Sequence, residues 1–261
     1  MDQIKVISAP DKDNPYAVIY KPKGLPSAPL SDDDKENALC KAVEIFPELG
    51  KVAGKKEIEH GLLHRLDTPT DGLILIAATK DFYDFMLSQQ EQGHFIKYYT
   101  ATCNKNFQNP KLLDGFPPQI TPVEGGIIQS YFRSYGKGGK EVRPVTKDSG
   151  TAALKKLGKP KLYQTELVSI NASDSDAASA GKTCVICRIS QGYRHQVRCH
   201  LAWAGLPVVN DPIYNAAFRL AGDKAGEGDA CGEEQLQFSA TRIEFTNPVE
   251  KKLKIFNVER N

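Results

Sequence analysis

His60, His64 and Asp67 stand at i, i+4 and i+7 in His60-Gly-Leu-Leu-His64-Arg65-Leu66-Asp67, the densest run of chemically able side chains in the sequence. On a helix that spacing would gather three metal ligands and suit a metal-dependent hydrolase. Pro69 and the Leu73-Ile74-Leu75-Ile76 run that follow favour extended chain, where the same spacing spreads the three apart. Asp67 then opens a tight polar loop, Asp67-Thr68-Pro69-Thr70-Asp71-Gly72, between two apolar segments. A carboxylate held at a strand end is well placed to react. It is equally able to accept backbone N–H groups in an Asx-turn.

Two further clusters compete with it. Cys184-Val-Ile-Cys187 lies in an extended stretch, which puts its thiols on opposite faces; without a second such pair, core packing suits both better than zinc. Gln191-Gly192-Tyr193-Arg194-His195-Gln196-Val197-Arg198-Cys199-His200-Leu201 carries two arginines at i, i+4 ahead of an apolar face. That pattern fits an anion-binding helix start or a solvated basic face. The sequence holds no P-loop, no GxGxxG after a strand and no GxSxG elbow, which removes common nucleotide-binding and serine-hydrolase chemistry.

The elements that must position these groups are legible in part. Val18-Ile19-Tyr20 leads as a strand into Lys21-Pro22-Lys23-Gly24-Leu25-Pro26, a fixed turn able to line a site. Ser31 and Asp32–Asp34 precede a helical stripe, Ala38, Leu39, Ala42, Val43 and Phe46, which Pro47 closes. Residues 61–78 read as strand, tight loop and buried strand. Thr79 caps a helix burying Phe82, Phe85 and Met86, with Gly93 just beyond its end. Phe95–Cys103 is extended and puts Lys97, Tyr99 and Ala101 on one side. Strands follow around 127–131, 162–170 and 183–190, then a helix over 194–204 stopped by Gly205, and last strands near 235–245 and 253–258. Residues 221–233 read as a mobile insertion. Strands outnumber helices without alternating strictly with them, so the expected fold is α+β, a mixed, mainly antiparallel sheet flanked by helices and loops.

Composition sets the outer bounds. With 261 residues, 40% apolar and 25% charged, the chain is that of an ordinary globular protein. The 34 Lys and Arg against 32 Asp and Glu leave +2, so a polyanion must be met by a local basic patch. Lys55-Lys56, Lys137, Lys140, Arg143, Lys155-Lys156, Lys159 and Lys161 are the candidates, with solvated surface as the plainer use. Six cysteines and no charged start followed by an apolar stretch suit a cytoplasmic protein. No apolar run approaches the ~20 residues of a membrane-spanning helix.

Taken together, the clusters resemble the RluA-type family of RNA pseudouridine synthases. His64-Arg65-Leu66-Asp67 with Thr70-Asp71-Gly72-Leu73-Ile74-Leu75 is similar to its His-Arg-Leu-Asp, Thr-Ser-Gly-Leu-Leu signature, and Lys97-Tyr98-Tyr99-Thr100-Ala101 to its Lys-x-Tyr-x-Ala strand. Gly192–Leu201 with Gly205-Leu206-Pro207 and Asp211-Pro212-Ile213-Tyr214 resembles its Gly-Arg-Thr-His-Gln-Ile-Arg-x-His block and the Gly-Asp-Pro-x-Tyr beyond. Lys21-Pro22-x-Gly24-Leu25-Pro26 matches an earlier element, and all occur in the family's order between about residues 17 and 214. Tyr193 stands where the family usually has Arg, Arg194 where it has Thr or Ser, and Asp71 where it has Ser.

The resemblance implies a single catalytic domain over 1–261, without the small RNA-binding S4 domain some members carry. It implies isomerisation of uridine in ribosomal or transfer RNA to pseudouridine, with no metal, redox or nucleotide cofactor, by a monomer acting on structured RNA. Asp67 would be the catalytic carboxylate, attacking either C1′ or C6. Burial drives a carboxylate towards neutrality unless a fixed cation offsets it, a part suited to the bidentate guanidinium of Arg198. Tyr99 offers a ring for the target uracil and a phenol to relay the C5 proton. Arg65 would fill the gap left by a flipped uridine, with His64, Lys97, Arg194, His195 and Lys21 completing the RNA-binding set. The competing expectations are an inactive structured-RNA-binding protein, motivated by Tyr193 and Asp71, and the hydrolase using His60, His64 and Asp67.

Overall fold

The computed structural model describes residues 3–105, 115–157, 161–172, 181–215, 218 and 235–258; the stretch 221–233, read as an insertion, lies outside them. Mixed and mostly antiparallel pairing is observed, in two compact units: Met1–Tyr98 with Ser239–Asn261, and Tyr99–Phe238.

In the first unit β1 (Lys5–Ser8), β2 (Tyr16–Lys21) and β3 (Asp71–Ala77) pair antiparallel in that order. All seven residues of β3 are buried, as its unbroken apolar run requires. Helix α1 (Ala38–Ile45) follows the expected stripe, but Asn37 caps it rather than the preceding acidic run, its side chain accepting from the Cys40 N–H at 2.9 Å. Helix α2 (Lys80–Gln92) starts at Thr79, which accepts from the Phe82 N–H, and stops at Gly93 with φ 78°. Its Phe82, Tyr83 and Met86 pack with Tyr16, Leu73, Leu75 and Phe95, each such side chain worth about 1.5–3 kcal/mol of apolar burial.

Residues 61–66 form no regular strand. They run beside β3 with one bridge, Leu62 to Ile76, and a Leu63 N–H to Leu75 O bond of 3.2 Å. β3 itself starts at Asp71, two residues earlier than its apolar letters. Asp71 and Gly72 pair in parallel with Ser239 and Ala240 of the strand β9 (Phe238–Asn247). Gly72 has φ +129°, and a Cβ there would lie 2.2 Å from the Ala240 carbonyl oxygen, so only glycine permits this approach. β10 (Lys252–Asn257) completes the unit against β9.

The chain passes into the second unit within β4 (Ile96–Asn104) and returns within β9. There β5 (Ile127–Tyr135) pairs antiparallel with both β6 (Glu141–Val145) and β7 (Tyr163–Ala172), and β7 with β8 (Lys182–Ile189). Beyond the short α3 (Thr151–Lys155), the main helix is α4 (Gln196–Trp203), every residue of which is buried. It starts later than the sequence pattern predicts because His195 sits in the left-handed region at φ 56°, outside helical geometry.

Candidate active site

Asp67 follows the irregular segment and precedes the bend into β3. Its carbonyl accepts the Thr70 N–H at 2.9 Å, closing a turn around Pro69. The loop 21–27 clamps the chain on either side of it. Ser27 Oγ donates to the Leu66 carbonyl at 2.7 Å and accepts the Leu66 N–H at 2.9 Å. On the other side the Gly24 N–H and Lys21 Nζ both donate to the Thr68 carbonyl, at 2.9 and 3.2 Å. The half-buried carboxylate thus rises from a backbone fixed on both flanks, the preorganisation a reacting group needs.

Lys21 itself is fully buried, and its ammonium donates to the carbonyls of Pro22, Leu25 and Thr68. Expected among the RNA contacts, it is instead a brace beneath the Asp67 turn. Burial lowers its pKa to about 8, with the charges of Asp71 and Asp67 opposing that fall.

Asp71, the departure from the family's serine, accepts from Tyr20 Oη at 2.5 Å and Ser239 Oγ at 2.7 Å, with Lys23 Nζ 3.9 Å away. It ties the edge of the site to β2 and β9. Burial, and then this bond to Asp71, raises the Tyr20 phenol's pKa and keeps it a donor.

His64 and Lys97 also turn inward. His64 Nε2 accepts the Leu75 N–H at 3.2 Å, its ring meets Phe95 edge-on at 5.2 Å, and its enclosed Nδ1 has no hydrogen-bond partner. Burial, helped by the Lys97 charge, pulls its pKa down to about 3. Lys97 is 5% exposed, with Nζ 4.1 Å from the centre of the Phe95 ring and 3.4 Å from that residue's carbonyl oxygen. Desolvation brings its pKa to about 7. Lys97 is therefore not presented to an incoming RNA, while the half-buried His64 ring is engaged with Leu75 and Phe95. The hydrolase reading also fails, because among the described residues no three His, Cys, Asp or Glu side chains gather as metal ligands, and His64 Nε2 is already engaged. Arg65 alone of this stretch is well exposed, at 57% of its side chain, lightly held by Glu59 at 2.9 Å.

In the second unit Tyr99 is buried and stacks on Phe238, centroids 5.1 Å apart and planes 4° from parallel. One face of the ring is thereby covered and its orientation fixed. Arg198 is 2% exposed, so the reading of this stretch as a solvated basic face does not hold for it. Its Nε and Nη2 donate side-on to Asp211 Oδ2 and Oδ1, both at 2.8 Å. His195 shares a 3.1 Å contact between Nδ1 and Tyr214 Oη.

Both remaining departures from the family pattern engage the β5–β6 hairpin. Tyr193 stacks on Phe132 at 5.1 Å and 5°, and tilts against Tyr163. Exposed Arg194 donates from Nη2 to the Gly139 carbonyl and, at 3.2 Å, to that of Glu141. Of the basic candidates, Lys137, Lys140, Lys155, Lys156 and Lys161 are exposed. Arg143 is buried against Glu141, Phe116 and Tyr135, and Lys56 pairs with Glu59; Lys159 lies outside the described residues. Ser27 and Phe238 were not singled out from sequence, and Asp211 entered only within the Asp211-Pro212-Ile213-Tyr214 run of the resemblance, with no role of its own. Among the described residues no helix is long and apolar enough to cross a membrane.

A family model described as RNA pseudouridylate synthase matches residues 15–203. RNA pseudouridine synthase 7 of Arabidopsis thaliana is 29% identical over 168 residues, 62% of this chain and 37% of that protein. Ribosomal large subunit pseudouridine synthase D of Neisseria meningitidis serogroup B is 24% identical over 237 residues, 91% of this chain and 54% of that protein. The chain therefore spans only about a third to a half of the length of these curated relatives. Among solved structures, human RNA pseudouridylate synthase domain containing 1 shares the fold, with TM-score 0.61, 15% identity and coverage of 99% of this chain and 84% of that one.

Proposed function

The chain belongs to the RNA pseudouridylate synthase family, and from that premise we propose that it converts specific uridines of structured ribosomal or transfer RNA to pseudouridine, as a monomer in the cytoplasm. The N1–C1′ bond breaks, the uracil turns, and a C5–C1′ bond forms; C5 loses its proton and N1 gains one. Atoms and electrons balance without metal, redox partner or nucleotide.

Asp67 is the attacking carboxylate in this reading, Arg198 the fixed cation and Tyr99 the stacking ring and proton relay. The observation that carries it is the double clamp of Ser27 and Lys21 on the residues either side of Asp67. A carboxylate in a purely structural Asx-turn needs no such bracing from a distant loop. The covered back of Tyr99 supports the stacking role, since a ring pinned by Phe238 meets a flipped base without losing rotamer freedom. Flipping costs a few kcal/mol and least in loops, so an accessible uridine in folded RNA is the preferred target. Arg65 occupies the vacated stack, and the exposed lysines add salt-sensitive phosphate contacts.

Tritium release from RNA carrying 5-tritiated uridine is the test, with separate ribosomal and transfer RNA pools from cells lacking the gene. Release from one pool supports the reading and names the substrate. Tight binding with no release from any pool would replace it with a catalytically inactive RNA-binding protein.

A further inference from the structure

We propose that Asp211 is a positioning residue for the isomerisation, acting through Arg198; this rests on the reading of Arg198 as the catalytic cation. Arg198 is the third residue of α4, where a positive charge opposes the helix dipole, and it is almost wholly buried, where a cation is costly. A fold needing only bulk there would place an apolar side chain. Asp211, 0% exposed, offsets both penalties with a side-on pair of 2.8 Å bonds to Nε and Nη2.

That geometry does more than neutralise. Two parallel bonds stop rotation about the Cδ–Nε axis and fix the guanidinium plane. Tyr214 flanks the group, with Arg198 Cζ 5.6 Å from its ring centre, and its own hydroxyl accepts the Val142 N–H at 3.0 Å. The carboxylate is held in turn, since Asp211 Oδ1 accepts the N–H groups of Ile213 and Tyr214 at 2.9 and 3.1 Å. With Nε and Nη2 both held by Asp211, the plane of the guanidinium is set by the fold, as a group that must meet a reacting anion requires.

The competing account is that Asp211 only caps the 211–214 turn. Asp211→Asn separates the two. An asparagine keeps Oδ1 for both turn N–H groups but sets an NH2 against the Arg198 Nε–H. We expect kcat for tritium release to fall about 100-fold while KM for RNA stays within about twofold and the circular dichroism spectrum is unchanged. Asp211→Glu retains the charge, and so the fold, but displaces the guanidinium; it should lose about tenfold in kcat. In a cycle with Arg198→Lys, the double variant should be no slower than Arg198→Lys alone. Folded Asp211 variants that turn over at the wild-type rate, or losses that multiply in the cycle, would overturn the proposal. Should Asp211→Asn not fold, Asp211→Glu and the cycle built on it decide the matter. Wild-type turnover by Arg198→Lys itself would instead remove the reading of Arg198 on which the proposal stands.

Discussion

Ser27 and Leu66 exchange two hydrogen bonds across 39 residues of chain, the serine hydroxyl giving one to the leucine carbonyl and taking one from its N–H. Leu66 immediately precedes the proposed catalytic Asp67. Ser27→Ala leaves a buried N–H and a buried carbonyl without their partner, at about 1–3 kcal/mol. We expect a lower melting temperature and, because the freed backbone carries the carboxylate, a kcat reduced about tenfold with KM for RNA unchanged. Ser27→Thr keeps the hydroxyl and should restore most of the rate. A Ser27→Ala enzyme that is less stable but fully active would show that the staple serves the fold alone.

Tyr99 combines a ring held against Phe238 with a phenol, and Tyr99→Phe separates the two. The variant keeps the stack and so its affinity for RNA, while losing proton transfer; kcat should fall by roughly 10²–10⁴ with KM little changed. Steady-state kinetics on one RNA decide it. A raised KM at full kcat would assign the hydroxyl to binding.

Lys97 supplies a pH signature of the first unit. Its pKa is about 7 in the folded chain against 10.5 for a free lysine. Between those values the unfolded chain binds a proton that the native one does not, so stability rises with pH, by up to about 1.4 kcal/mol per unit. Lys97→Met has no such dependence and no desolvated ammonium. Urea denaturation should find it more stable than wild type by a few kcal/mol at pH 7, on the order of the linkage above. That gap should narrow steadily as the pH approaches 10. A constant gap would mean that the ammonium is solvated.

His200 does the converse in the second unit. Its Nδ1 and Nε2 lie 2.9 Å from the Thr165 and Ser130 hydroxyls, and burial lowers its pKa to about 3. Below the ordinary histidine pKa of 6.5 the unfolded chain gains a proton the native chain refuses. Stability is therefore complete above pH 6.5 and is lost, at about 1.4 kcal/mol per unit, as the pH falls towards 3. His200→Gln should be less stable at neutral pH and show a shallower decline between pH 6.5 and 4. Parallel declines in variant and wild type would reject the assignment.

Wherever one residue's neighbours decide its structure the sequence was informative. The Thr79 cap, the Gly93 stop and the alternation from Lys97 to Ala101 follow from local chemistry and were readable, as was the mixed sheet. What depends on distant chain was not. Gly72 looks like a turn residue until β9 is seen to pass against it, and His195 looks helical until its positive φ is known. The cations misled most. Lys21, His64 and Lys97 sit in motifs that read as RNA contacts, yet packing turns them inward onto carbonyls, a backbone N–H and a ring. Residue type announces charge; only packing says which way it faces. Phe238, and the part Asp211 plays, were invisible for the same reason, since each matters through the side chain it touches.

Asp67→Asn tests the reading on which the others depend. The turn is closed through the Asp67 carbonyl, which the substitution leaves in place, and asparagine is nearly isosteric, so the melting temperature should move by only a few degrees, as expected for a change of about 1 kcal/mol. RNA affinity should hold, because recognition rests on RNA shape and on contacts spread well beyond this residue. Turnover should vanish, since an amide can neither attack C1′ or C6 nor carry the charge that Arg198 would stabilise. Single-turnover tritium release with enzyme in excess is the decisive measurement, because it reads chemistry apart from product release. Residual release near the wild-type rate would mean that another group performs the attack. The clamp of Ser27 and Lys21 would then be bracing a turn for its shape alone.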